Sequence, residues 1–168
     1  MNINKIAAIA LALVFTLSLF AGCGSSTPVK EKDAGEITIF VDSTMKGALT
    51  AAATAYTKPV REKPEREKAI ILINSASTED IVKKLEDGEY ADAIIVIGAD
   101  QLDALDAVSG GKDIVIHSSR IEFTGEDGVP YDAAIVNSSD RQSVVQGFFD
   151  YLTSDEADAV LAEYGIEN

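Results

Sequence analysis

Short continuous apolar runs alternate along this chain with stretches in which apolar residues recur three and four positions apart. Glu36 to Val41 is a β-branched run that predicts a strand, and Met45, Leu49, Ala52, Ala53 and Tyr56 follow at helical spacing. Lys58 to Lys68 is charged and holds Pro59 and Pro64, which read as an exposed loop. Ala69 to Ile73 predicts a second strand, and Ser77-Thr78-Glu79-Asp80 opens a helix carrying Ile81, Val82 and Leu85 before Gly88. A third cycle pairs the strand Ala93 to Ile97 with a helix face of Leu102, Leu105 and Val108 that stops at Gly110-Gly111. Asp113 to Ile116 predicts a fourth strand, Ser118 to Tyr131 reads as polar connection, and Ala133 to Val136 is short and apolar. Ser139-x-x-Gln142 predicts the cap of a helix bearing Val144, Val145, Phe148, Phe149 and Leu152. Thr153-x-x-Glu156 predicts one more cap, with Ala157, Val160, Leu161 and Tyr164 toward the core and Gly165 as the stop. Strands alternating with helices predict an α/β fold: a mostly parallel sheet with helices on both faces.

The first residues follow another pattern. Lys5 precedes an apolar run from Ile6 to Phe20, and Ala21-Gly22 places small side chains before Cys23, the chain's one cysteine. This layout resembles a bacterial lipoprotein signal, with Phe20 where Leu, Val or Ile is more usual. The run is shorter than the roughly 20 apolar residues a bilayer span needs. The expectation is a signal peptide over residues 1–22, a lipidated Cys23 with a polar tether over 23–35, and a single α/β domain over 36–168. That places the domain outside the cytoplasm, held to the cell membrane by its lipid. A thiol used in this way leaves no disulfide, so stability comes from packing.

Net charge is −14, and loss of Lys5 with the signal takes it one unit further. Such a surface repels nucleic acid phosphates and anionic headgroups, which excludes nucleic acid as a partner. Small anions stay open as ligands, because screening beyond roughly 8 Å lets a local site override the global field.

Ligands of open parallel sheets bind beyond the carboxyl ends of the strands, where helix N-termini are exposed. Val41-Asp42-Ser43-Thr44-Met45 and Ile73-Asn74-Ser75-Ala76-Ser77-Thr78 are two such turns, both rich in hydroxyls. Ser and Thr cap helices at most helix starts, so the hydroxyls alone do not establish a site. The order of the segments adds to them. Glu36 to Phe40 followed by Ser43-Thr44-Met45-Lys46-Gly47-Ala48-Leu49 resembles the opening of the molybdate-binding proteins of ABC importers. Ser75-Ala76-Ser77-Thr78, Leu85 to Asp92 and Gly98-Ala99-Asp100 are similar to that family's next segments. Gly147 to Ala157 and Glu163-Tyr164-Gly165-Ile166 resemble its C-terminal helices.

The resemblance implies a type II solute-binding fold, whose two lobes close on a tetrahedral oxyanion through hydroxyls and backbone amides. It covers one lobe. Between the fourth strand near His117 and the strand at Ala133 the second lobe, its helix N-termini and a family tyrosine that would contact the ligand are not found. By position the implied ligand residues are Ser43, Thr44, Ser75, Ala76 and Ser77, with Ala76 standing where the family has its central serine. The implied partners are molybdate or tungstate, an ABC permease and the membrane, with a second copy as one source of the absent wall. An alternative is a ligand-free interaction module docking to a permease, a sensor or a second copy. Two helix N-termini contribute about 1 to 4 kcal/mol toward an anion, against about 8 for micromolar affinity. Asp42, Glu79 and Asp80 beside the turns oppose an oxyanion.

No enzyme, cofactor or metal reading is carried by the remaining residues. His117 beside Ser118 and Ser119 makes a poor nucleophile and base pair, because neighbours in a strand point to opposite faces. Asp100, Asp103 and Asp106 lack the glycine and terminal glutamate of a calcium loop and read as a solvated helix face.

Overall fold

A computed structural model of the protein describes residues 35–58, 69–98, 100–108 and 113–168. Cys23, the tether, most of the charged loop and Gly110-Gly111 lie outside the described residues. The elements run β1 (Glu36–Asp42), α1 (Lys46–Tyr56), β2 (Ile70–Ala76), α2 (Thr78–Glu86), β3 (Ala93–Ile97), α3 (Asp100–Val108), β4 (Val115–Thr124), a 3-10 turn (Glu126–Gly128), β5 (Pro130–Val136), α4 (Gln142–Leu152) and α5 (Asp155–Ala162).

The strands form one five-stranded sheet in the order β2-β1-β3-β5-β4. β1 pairs in parallel with β2 and with β3. β5 is antiparallel to both of its neighbours, so the sheet is mixed and the expectation of a mostly parallel one is corrected. The reason is connection length. Only 125–129 separates β4 from β5, and a parallel return needs a crossover of a dozen or more residues. The same short connection leaves no second lobe at this point of the chain.

Successive strand residues feed opposite faces. Ile37, Ile39 and Val41 of β1 and Ala93 and Ile95 of β3 pack with α1, α4 and α5, where Leu49, Phe148, Phe149 and Leu161 are buried. Phe40, Ile94, Val96, Ala134 and Val136 form the second cluster with Ile81 of α2 and Leu102 and Leu105 of α3. A strand buried on both faces has no polar alternation, which is why β3 is apolar throughout and β1 is apolar from Ile39 to Val41.

Several local expectations shift. β4 extends through the stretch read as polar connection, with a register irregularity between Ile116 and Ile121. The bulge broke the alternation that Ile121, Glu122 and Phe123 otherwise continue. β2 runs on to Ala76, taking Ser75 and Ala76 into the strand. Ser77 caps α2 as expected, its Oγ accepting from Asp80 N at 3.2 Å. Ser139 does not cap α4: its hydroxyl accepts from Arg141 N at 3.0 Å and donates to Asp92, while the helix starts after Arg141. Thr153 lies at the C-terminus of α4 with its hydroxyl on Phe149 O, and Ser154 precedes α5. Tyr164 is 47% exposed rather than core, lying against Gly47 at the surface.

Candidate functional site

The carboxyl ends of β1, β2 and β3 meet the start of β5 at one rim, and backbone bonds tie the first two turns together. Ser43 N donates to Ala76 O at 2.9 Å, and Met45 N returns to Asp42 O at 3.0 Å. The two hydroxyl-bearing turns are therefore neighbours, with α1 and α2 both starting there.

A carboxylate lies at the centre. Asp42 is 4% exposed, and its Oδ1 accepts from Thr44 N at 3.0 Å and from Thr44 Oγ1 at 2.6 Å. Its Oδ2 accepts from Thr78 Oγ1 at 2.7 Å. Thr78 Oγ1 in turn accepts from Ile97 N at 3.0 Å, which joins β3 to the same network. Thr44 Oγ1 also lies 2.9 Å from Tyr131 OH. A threonine has one hydroxyl proton, and it is committed to Asp42, so Tyr131 donates to Thr44. Burial pushes the Asp42 carboxyl up, but the hydrogen bonds from Thr44 and Thr78 outweigh it and hold the group below its ordinary value.

The five sequence-predicted residues gather at this rim in different states. Ser43 is exposed at the head of the turn. Thr44 faces Asp42, and Ser77 is occupied with its helix cap. Ser75 and Ala76, half-buried, line a depression of about 460 Å³ together with Asn74, Phe40, Lys46 and Lys84. Lys84 Nζ pairs with Glu89 at 2.9 Å and sits 5.5 Å from the centroid of the Phe40 ring. Sequence reasoning treated Asp42 as a neighbour of the site and missed Thr78 and Tyr131 as parts of it. Nothing local marks Tyr131, which reaches Thr44 across 87 residues of chain.

Residues weighed for other chemistry are engaged elsewhere. Ser119 Oγ donates to Ile116 O at 2.6 Å and accepts from Ile135 N at 2.9 Å, which secures the β4 bulge. Asp103 faces Arg120 at 3.4 Å. Arg120 also grips the buried Asp132, with Nε at 3.1 Å and Nη2 at 2.8 Å. Among the described residues no three His, Cys, Asp or Glu side chains cluster to hold a metal ion, and no helix is long and apolar enough to cross a membrane.

No family model matches the chain, and no curated protein does. Solved structures do match. A protein described as the substrate-binding domain of a molybdenum ABC transporter from Clostridium difficile superposes with a TM-score of 0.63 at 11% identity, over 79% of this chain and 98% of that one. The chain has a solute-binding-protein fold. The sulfate-binding protein SubI from Mycobacterium tuberculosis H37Rv shares this fold with a TM-score of 0.61 at 9% identity, over 79% of this chain and 86% of that one. In the solute-binding fold seen here, the rim built by Ser43, Thr44, Ala76 and Ser77 lies at the carboxyl ends of β1 and β2. Ligands of open α/β sheets bind in that position.

Proposed function

We propose that this chain is an extracytoplasmic solute-binding lipoprotein of an ABC importer, anchored through Cys23, and that its solute is a tetrahedral oxyanion such as molybdate or tungstate. The observation that carries the reading is the bond from Ser43 N to Ala76 O, which sets the two helix-opening turns side by side. The Ser43 and Ser75 hydroxyls and the first turn of α1 are donors of the kind an oxyanion requires, whereas the Thr44, Thr78 and Asp80 amides already serve Asp42 or the Ser77 cap. Lys46 beside the depression adds a positive charge in an otherwise acidic molecule. A single lobe supplies one wall of a pocket, and a permease or second copy supplies the other. Isothermal titration of the chain with molybdate, tungstate, sulfate and phosphate tests the reading. Heat with one or more of them is the expected result, and no heat with any removes the ligand.

One observation favours a second reading, a ligand-free module docking to a permease, a sensor or another copy. Asp42 already takes the Thr44 and Thr78 donors as an internal anion, and Ala76 brings no hydroxyl. Absent heat combined with stoichiometric co-purification with a permease distinguishes this reading from the first.

A further inference from the structure

We propose that β2 is the pairing edge of a symmetric dimer, in which two copies of this chain join their sheets through antiparallel β2 strands. β2 stands at one end of the strand order, with β1 on its inner side and no other described strand beyond it. The parity of its backbone follows from two bonds. Ile70 N donates to Gly35 O, and Ala76 O accepts from Ser43 N, so Ile70, Leu72, Asn74 and Ala76 direct their polar groups toward β1. Ile71, Ile73 and Ser75 therefore direct theirs outward. A two-fold axis through Ile73 sets Ile71 opposite the partner's Ser75 and Ile73 opposite the partner's Ile73. In an antiparallel pair these are the residues that exchange both hydrogen bonds, so the register satisfies every outward N–H and C=O of the three.

Side chains point the same way. Ile70 is 45% and Leu72 42% exposed, and both lie on the face of β2 turned from α1. In this register Leu72 meets the partner's Asn74 and Ile70 meets the partner's Ala76, which covers apolar surface on both copies. Charge selects a second copy as the occupant. The chain carries −14, yet Ala69 to Ser77 holds no charged residue, so two acidic molecules can approach here without setting carboxylates of the two strands against each other. The opposite edge is built differently. β4 is interrupted by its bulge and carries Arg120 and Glu122, devices that keep an edge from pairing. β2 is regular, uncharged and free of proline over its seven residues. Asn74, Ser75 and Ala76 also line the depression at the rim, so the dimer would border that depression, and its test is read without added solute.

Sedimentation velocity of the full-length chain in mild detergent tests it, with Leu72→Lys as the perturbation. Wild type is expected to sediment as a dimer and Leu72→Lys as a monomer of unchanged circular dichroism and thermal midpoint. A wild-type monomer at the highest soluble concentration overturns the proposal, as does a dimer that Leu72→Lys leaves intact. Register is read by cross-linking in a Cys23→Ser background. Leu72→Cys chains mixed with Asn74→Cys chains should form a disulfide-linked heterodimer on mild oxidation, with neither variant alone linking efficiently. No linkage in the mixture overturns the register and the proposal with it.

Discussion

Replacing Asp42 by asparagine keeps the shape at the centre of the rim and removes its charge. The carboxylate accepts from the backbone and hydroxyl of Thr44 and from the backbone and hydroxyl of Thr78. A bond to a charged group contributes about 1.5 to 3 kcal/mol and a neutral one about 0.5 to 1.5, so the two Thr44 bonds weaken by about 1 kcal/mol each. Thr44 is exposed, and water offsets part of that loss. Thr78 is 8% exposed and would meet an amide N–H₂ where it had an acceptor, which costs about 1 to 3 kcal/mol. Relief of the buried charge works the other way, leaving a net destabilisation of about 2 kcal/mol at neutral pH. The pH dependence has a definite sign. Asp42 is held below its ordinary value of 3.8, so its contribution is fully present above that value and is lost as pH falls through the lowered one. Urea denaturation followed by circular dichroism should show Asp42→Asn less stable than wild type at neutral pH, with the gap closing in acid. Equal stability at neutral pH, or a gap unchanged by acidification, refutes the account of the network. The same variant bears on the ligand. At about 8 Å and an effective dielectric of about 20, a carboxylate repels a monovalent anion by about 2 kcal/mol and a divalent one by about 4. Oxyanion affinity should therefore rise by at least about 30-fold in calorimetry.

Three further outcomes are expected. Arg120→Ala strips the bidentate partner from Asp132, which is 2% exposed, and should cost about 3 kcal/mol in urea denaturation, with Arg120→Lys recovering only part; a loss below about 1 kcal/mol contradicts a buried pair. The Tyr90 hydroxyl donates to Asp92 at 2.5 Å and is pushed up to about 12 by burial, then by that bond and by the Asp92 charge. Its stabilising share is whole below the ordinary value of 10.0 and is lost as pH rises toward 12, so the stability deficit of Tyr90→Phe should be constant to about pH 10 and shrink above it. Ala76→Ser adds a hydroxyl at the half-buried end of β2 and, if the rim takes an oxyanion, should raise affinity by about tenfold, one hydrogen bond to a charged group; unchanged heat places the ligand elsewhere.

How far the chain could be read ahead of its fold depends on the range of each interaction. Element type is a local property. The apolar runs at Glu36 to Val41 and Ala93 to Ile97 and the helical spacing from Met45 to Tyr56 carry their own periodicity, and the α/β class follows from their alternation. Ser77 likewise declares its cap three residues ahead of Asp80. Capping signals elsewhere misled, because Ser139 and Thr153 found longer-range or backbone partners that a window of four residues does not contain. Strand direction in the second half was also hidden, since the bulge between Ile116 and Ile121 masks the hairpin that turns β5 around.

The order of residues by itself determined which segments become strands and helices, the acidic surface, and the placement of hydroxyls at two helix starts, because propensity, charge and periodicity reside in neighbouring residues. Only the tertiary structure decided what those hydroxyls do. Thr44 meets Asp42 within its own turn, but Thr78 reaches Asp42 across 36 residues of chain and Tyr131 reaches Thr44 across 87, so the network closes only when β1, β3 and β5 lie side by side.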